Sequence, residues 1–362
     1  MTINNKEKTI SQQNTYNKYI GFDVGTGNLV CADKLDNNKV ELKRLRNMFL
    51  EINSEDLSAD ELAGIDLNYI ETKDDFNQTD KIIIIGEDAF RFANIFNGTV
   101  RRPMQNGILS TKEADAIDIL YKMVEYLAGH ADNGYCVYSI PARAINSDMA
   151  PVLYHEKVLG DMIFPKLGYT AKPLNEGTAV VYSECYDTNY TGIGISFGAG
   201  LTNIACVYKG IPAFNFSLDV GGDWIDKNSA ISLGKLQTRI TRIKEDKLDL
   251  SDPNSGNKEE RKVKQALSFY YKDLIKRVLN GIIKMFNEQS EGLDIDEDIP
   301  IILSGGTSLA KGFCDLFINT FDTQYKQNFP YSISEIKMAK NPLYSVAIGC
   351  LSYSLGKIKL EV

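Results

Sequence analysis

Two stretches far apart in the chain are spelled alike. Ile20-Gly21-Phe22-Asp23-Val24-Gly25-Thr26-Gly27-Asn28 alternates apolar residues and then turns on two glycines, and Ile193-Gly194-Ile195-Ser196-Phe197-Gly198-Ala199-Gly200 does the same. Ile20, Phe22 and Val24 have the period of a strand with one buried face, which places Asp23 on the other. Each copy runs on into a second apolar segment, Leu29-Val30-Cys31-Ala32 and Ile204-Ala205-Cys206-Val207. A long-range repeat of this kind constrains the chain to two similar halves, each containing a strand–turn–strand hairpin. Glycine lets such a turn reverse tightly, and a tight turn can aim backbone N–H groups at an anion. A neighbouring carboxylate can hold the hydrated cation that travels with that anion. The pattern points to phosphate with Mg²⁺, gripped from both sides of a cleft. The copies differ at one position, Asp23 in the first and Ser196 in the second.

The bulk numbers narrow the function classes. The chain has 362 residues, 43% hydrophobic and 24% charged, as expected of a soluble protein of two domains. A net charge of −8 without a long basic run argues against nucleic acid as a direct partner. Six scattered cysteines with no C-x-x-C read as buried free thiols of a reducing cytosol. With only His130 and His155, multi-histidine metal sites are nearly excluded. No apolar run is long enough to span a bilayer, and no signal peptide or membrane anchor is evident, so a cytoplasmic protein is expected. Residues 1–17 are polar and read as a disordered tail, with the fold starting near Lys18.

Along the chain, strands and helices alternate, which is the α/β class. Residues 33–80 are acidic and irregular and read as an insertion or small subdomain. Ile82–Ile85 reads as a buried strand leading into a helix toward Phe96. Ser110 and Glu113 fit a capping box before a helix with Ile117, Leu120, Tyr121, Val124 and Leu127 on one face. Val137–Ile140 is a strand stopped by Pro141; a helix spans about 152–167, and Tyr169–Leu174 is a further strand. Glu176 begins a short helix, and its carboxylate is placed either to orient a water or only to complement the helix dipole. Further on come a strand at 213–218, a helix through Trp224, a charged helix at 236–248, and a long helix with Val263, Leu267, Tyr270, Leu274, Val278 and Ile282 on its buried stripe. Ile301–Leu303 runs into a third glycine turn, Gly305-Gly306, which opens a helix at 308–321. A small-residue helix at 341–355 closes the chain.

In order, these motifs resemble those of the actin superfamily, most closely its prokaryotic branch, the MreB, MamK and ParM types. GFDVGTGN at 21–28 is similar to the phosphate-1 motif, NEGTAVVY at 175–182 to connect-1, and ISFGAGLTN at 195–203 to phosphate-2. ILSGGTSLAKGF at 302–313 resembles the adenosine motif and NPLYSVAIGCL at 341–351 connect-2. IGEDA at 85–89, RRPMQNGIL at 101–109, GGDWID at 221–226 and RIKEDKL at 242–248 are smaller echoes. The resemblance covers nearly the whole chain from Tyr19.

It implies an α/β fold of two actin-like (ribonuclease-H-like) domains with a nucleotide cleft between them. The expected first domain is 18–186 plus 343–362, with its inserted subdomain within 33–100, and the second is 187–342. ATP or ADP with Mg²⁺ would bind in the cleft. Asp23 would order the water shell of Mg²⁺, and Gly25, Thr26, Gly27 and Asn28 would hold phosphates from one side. Gly198, Ala199 and Gly200 would hold them from the other. Gly221, Gly222, Lys244, Glu245, Gly305, Gly306 and Thr307 complete the nucleotide set. Glu176 would position the attacking water, giving it and Asp23 the catalytic roles. Ser196 departs from the family pattern, which has Asp there. Serine keeps a hydrogen bond but loses the charge, so slow hydrolysis is expected.

The function implied is an actin-like cytoskeletal protein that polymerises head to tail into filaments, its main partner being itself, with an adaptor protein as a further partner. The alternatives are a non-polymerising nucleotide switch or chaperone-like ATPase, and a small-molecule kinase.

Overall fold

A computed structural model describes residues 16–35, 39–53, 67–73, 80–93, 95, 98–143, 150–289 and 295–360. Tyr16 and Asn17, expected in the tail, already pack on the fold. Tyr16 stacks on Tyr135, and the Asn17 N–H donates to the Asn133 carbonyl. The remainder of the tail lies outside the described residues.

The repeat is a repeat of topology. The first sheet contains β1 (Lys18–Val24), β2 (Asn28–Lys34) and β3 (Val40–Arg46) as an antiparallel meander. After β4 (Phe49–Asn53), β5 (Tyr69–Lys73) and β6 (Asp80–Ile85) come α1 (Glu87–Ala93), the two-residue strands β7 (Met104–Gln105) and β8 (Ile108–Leu109), and α2 (Ala116–Ala128). Then β9 (Gly134–Ile140) and, beyond α3 (Ala150–Lys157), β10 (Tyr169–Asn175) add in parallel, giving the order β10-β9-β1-β2-β3.

The second sheet repeats this plan. After α4 (Glu176–Glu184), β11 (Gly192–Phe197), β12 (Thr202–Tyr208) and β13 (Ile211–Leu218) form the meander. Three helices follow: α5 (Gly222–Leu233), α6 (Gln237–Lys247) and α7 (Lys258–Gln289). Next, β14 (Ile299–Ser304), α8 (Phe313–Gln324) and β15 (Ile333–Met338) complete the order β13-β12-β11-β14-β15, and α9 (Ser345–Ser354) ends the fold.

The layers follow from which faces are apolar. Ile20, Phe22 and Val24 pack under the apolar stripe of α2 (Ile119, Leu120, Met123, Val124 and Leu127) and under the helical segment after α3. The stripe of α7 packs on the outer face of the second sheet. Between the sheets lie α9 and α4. They approach sheets and each other through glycines, because a Cβ there would collide with backbone. At Gly21 it would stand 2.1 Å from the Ala347 carbonyl oxygen, and at Gly349 1.8 Å from that of Ala179. At Gly177 it would stand 2.5 Å from the Ala205 nitrogen, and at Gly194 2.2 Å from the Gly177 oxygen. The two sheets are thus joined by close backbone approaches at these glycines and by buried side chains around them, such as Val137, Val180, Val207, Ile302 and Val346.

Several expectations need correction. Residues 33–80 are not wholly an excursion, because β3 lies within them and pairs with β2 along its length; only β4, β6 and β5 form a separate three-stranded sheet. Ser110 does not cap α2. The helix starts at Ala116, and the Ser110 hydroxyl accepts from the Lys112 N–H in a local turn, while Glu113 faces Arg101 at 3.6 Å. On α7 the buried tyrosine is Tyr271, with Tyr270 only half-buried and paired with Ser232. The third glycine turn opens a 3₁₀ turn, Gly306–Leu309, with α8 beginning at Phe313. Five cysteines are buried and free and Cys314 is partly buried and free.

His155 on α3 has no solvent exposure, and neither ring nitrogen has a hydrogen-bond partner among the described residues. Burial pushes its pKa from 6.5 down to about 4. Below pH 6.5 the unfolded chain takes up a proton that the folded chain refuses, so stability is full above 6.5 and falls as the pH drops toward 4. Urea unfolding across this window is expected to show a loss of up to about 3 kcal/mol that His155→Leu removes.

Candidate functional site: a cleft between two glycine hairpins

The two hairpins close identically. The Gly25 N–H donates to the Asn28 carbonyl at 3.1 Å, and the Gly198 N–H to the Leu201 carbonyl at 2.9 Å. A Cβ at Gly25 or Gly198 would stand 2.8 or 2.9 Å from those same oxygens, so neither position accommodates a side chain. The loops meet face to face: a Cβ at Gly27 would lie 3.0 Å from that of Ala199, and one at Gly200 2.9 Å from the Thr26 hydroxyl. Between and beside them the cleft encloses about 600 Å³.

The hairpin carbonyls are engaged by the scaffold. Asn47, fully buried just past β3, donates its side-chain amide to the Gly25 carbonyl at 2.8 Å and its backbone N–H to that of Gly27 at 3.0 Å. In the second copy the first N–H groups of α5 do this, Gly222 to the Gly198 carbonyl at 3.0 Å and Asp223 to that of Ala199 at 2.8 Å. The Thr307 hydroxyl adds a second bond to the Gly198 carbonyl at 2.8 Å. Among the described residues, no acceptor is bonded to the N–H groups of Thr26, Gly27, Ala199 or Gly200. Two loops with committed carbonyls and spare N–H donors form a nest suited to an anion.

Two acids stand beside this nest, Glu176 buried and Asp23 partly buried. Asp23 accepts from the Ser139 hydroxyl at 2.7 Å, and the same oxygen of Ser139 accepts from the Val24 N–H at 2.9 Å. Glu176 accepts from the Ser196 hydroxyl at 2.9 Å. The N-terminal position of Glu176 on α4 is fixed by Asn175, which caps the helix through the Thr178 N–H. Burial raises the pKa of Asp23, against the Ser139 hydrogen bond. Burial and then the charge of Asp23 raise that of Glu176, against hydrogen bonds from Ser196 and Asn203. Burial thus favours the neutral form of Glu176 in the empty site, and a cation beside the pair would favour the ionised forms. Among the described residues no three His, Cys, Asp or Glu side chains converge to hold a metal directly, so Asp23 suits a cation bound through water and phosphate.

Of the residues expected from sequence, Asp23, Gly25, Thr26, Gly27, Asn28, Glu176, Ser196, Gly198, Ala199, Gly200, Gly222, Lys244, Glu245, Gly305, Gly306 and Thr307 all line the one cleft. Gly221 stands behind it, where a Cβ would meet the Ala199 carbonyl oxygen at 2.6 Å. Lys244 is held by Asp226 at 2.8 Å and by the Gly222 carbonyl at 3.2 Å.

Sequence reasoning missed Asn47, Ser139, Asn203 and Asp226, and the cleft arginines Arg44, Arg46 and Arg102. The alternation Leu42-Lys43-Arg44-Leu45-Arg46 was the available signal for β3 and its arginines; Leu45 is buried between two cationic neighbours. Ser139 and Asn47 carry no local signal, since their partners are over a hundred and over twenty residues away.

With this geometry in view, the likenesses to known proteins can be stated. A family model described as Volactin matches residues 19–353. The cell division protein FtsA of Pseudomonas aeruginosa is 23% identical over 181 residues, which are 45% of this chain and 42% of that protein, so the match spans less than half of the relative. A MamK double helical filament structure shares the fold with a TM-score of 0.68 at 16% identity, covering 93% of this chain and 98% of that one. A non-polymerising MamK mutant bound to AMPPNP superposes with a TM-score of 0.53 at 16% identity, covering 94% and 100%. The two-domain fold is therefore actin-like. Among the described residues no helix is long and apolar enough to cross a membrane.

Ser139→Ala removes one donor to a partly buried carboxylate and one acceptor for a buried N–H. It is expected to cost about 1–3 kcal/mol in chemical unfolding and to raise the Asp23 pKa further, read by NMR titration.

Proposed function

The chain belongs to the Volactin family, and on that premise we propose that it is an actin-like cytoskeletal protein that binds ATP with Mg²⁺ in the cleft and assembles head to tail into filaments. The observation that carries this reading is the pair of facing hairpins with spare N–H groups, contributed by two different sheets. A polyphosphate between them touches both halves and favours the closed arrangement, and hydrolysis removes that differential contact. In this reading the halves are 18–186 with 343–362, and 187–342. Subunits stack through a contact that does not close on itself, which yields a filament. The MamK filament supports assembly for this fold, and the AMPPNP-bound MamK mutant supports a nucleotide.

When bound, Mg²⁺ would neutralise the charge of the phosphates, with Asp23 holding its water shell. Gly25 to Asn28 and Gly198 to Gly200 would hold the phosphates, with Lys244, Glu245 and Gly305 to Thr307 on the sugar and base. Glu176 would orient the attacking water. A bound cation beside Asp23 would favour the ionised form of Glu176, and its raised pKa makes that carboxylate basic enough to accept a proton from the water. Ser196 donates to Glu176 in this structure and supplies no charge of its own, so hydrolysis is slow.

Sedimentation and negative-stain microscopy are expected to show filaments with ATP and Mg²⁺, and fewer with ADP or no nucleotide. A chain that stays monomeric at high concentration with ATP and Mg²⁺ overturns assembly, and absence of any adenine nucleotide binding overturns the whole reading. Ser196→Asp is expected to raise phosphate release by an order of magnitude or more, about the scale at which one electrostatic group acts in such sites. Unchanged turnover counts against the role given to Ser196.

A further inference from the structure

Arg46, the last residue of β3, sits at a three-way junction. It lies directly opposite Asn28 of the first hairpin in the β2–β3 register. Its guanidinium reaches Glu87, which opens α1 on the same half, at 3.2 Å, and Glu245 of α6 on the other half at 2.5 Å. The two carboxylates are met by different terminal nitrogens, so one planar fork joins both. The Arg46 side chain is 21% exposed, and that of Glu245 is 44% exposed. A second ion pair crosses the cleft in the same sense: Arg102 of the first half meets Asp223 at the start of α5 at 2.8 Å. In both, the cation comes from the first half and the carboxylate from a segment beside the second hairpin.

We propose that Arg46 is a closure latch: its ion pair with Glu245, supported by Arg102 with Asp223, holds the two halves together at the cleft mouth and sets how fast a nucleotide leaves. This rests on the nucleotide reading given above. The physical basis is that the contact exists in one arrangement only. Moving α6 away from β3 by a few ångströms breaks it, so it biases the closed state independently of what the cleft holds. The guanidinium also separates two carboxylates. Without it Glu87 and Glu245 face one another, and their repulsion favours opening. Arg46 acts on release through Glu245 and the position of α6, so it is a positioning residue.

Two measurements decide the matter. In the first, bound radiolabelled ATP is chased with excess unlabelled ATP in the presence of Mg²⁺. Arg46→Ala is expected to speed release roughly three- to fivefold, the effect of one partly exposed ion pair, and Arg46→Glu more. Because Glu245 also belongs to the nucleotide set, the informative comparison is a cycle: Arg46→Glu combined with Glu245→Arg releases ATP more slowly than either single variant. Additive single effects, or a release rate unchanged in Arg46→Ala, overturn the latch. A ligand for phosphate at this position would also fail to be rescued by the exchange.

In the second, small-angle scattering of the nucleotide-free chain is expected to show expansion in Arg46→Glu and its reversal on adding Glu245→Arg. Circular dichroism confirms that each variant is folded. This arm needs no nucleotide: if the chain binds no ATP, the functional proposal falls while the latch is still tested. Equal dimensions for the wild type and Arg46→Glu overturn it.

Discussion

The joint between the two halves turns on four close backbone approaches at glycines, set within a buried apolar layer. Gly21 of β1 touches α9, Gly349 of α9 touches α4, and Gly177 of α4 and Gly194 of β11 bring that helix onto the second sheet. Everything functional hangs from these layers. The first hairpin is the end of β1, the second is the end of β11, and Glu176 is the first residue of α4. A side chain added at any of these four glycines would meet backbone and push a hairpin or Glu176 out of place, enough to spoil a site built from opposing loops.

The second constraint is electrostatic. The cleft floor sets a partly buried Asp23 beside the buried Glu176, and the fold supplies only hydroxyls and an amide to soften them, from Ser139, Ser196 and Asn203. Uncompensated buried charge is costly and tends to persist where it has a task. Lys244 pairs with Asp226, Arg46 with Glu87 and Glu245, Arg102 with Asp223 and Lys311 with Asp249, while Arg44 reaches the Asn28 side chain at 3.4 Å. No cationic side chain contributes to the charge state of either acid, so a cation arriving with a ligand would favour their ionised forms, which is why the proposed function couples metal and phosphate.

What could be read from the chain alone was whatever is encoded in local spacing. The hairpins were legible because a tight reversal demands glycine at fixed offsets, and the strands because period-two burial marks them. The mouth of the cleft was not legible. Arg44 and Arg46 lie in a stretch whose acidic composition masks a strand, and their significance depends on Glu245, 199 residues from Arg46. The Ser110 signal failed because a hydroxyl three residues before a glutamate serves a local turn as readily as a helix start; here the chain takes the turn and begins the helix later. On α7 the stripe was right, but Tyr270 and Tyr271 are adjacent, and a 100° step separates the buried one from the half-exposed one.

The duplicated hairpin has a thermodynamic corollary. Each half offers a cradle of two spare N–H groups, those of Thr26 and Gly27 on one side and of Ala199 and Gly200 on the other. If a polyphosphate binds as proposed, the cradle that fills first holds it beside the second, as in chelation by a bidentate reagent. Avidity is then a property of the joint and not of either arm, so a change in the stiffness of the α4–α9 layer can retune retention without altering a single contacting atom.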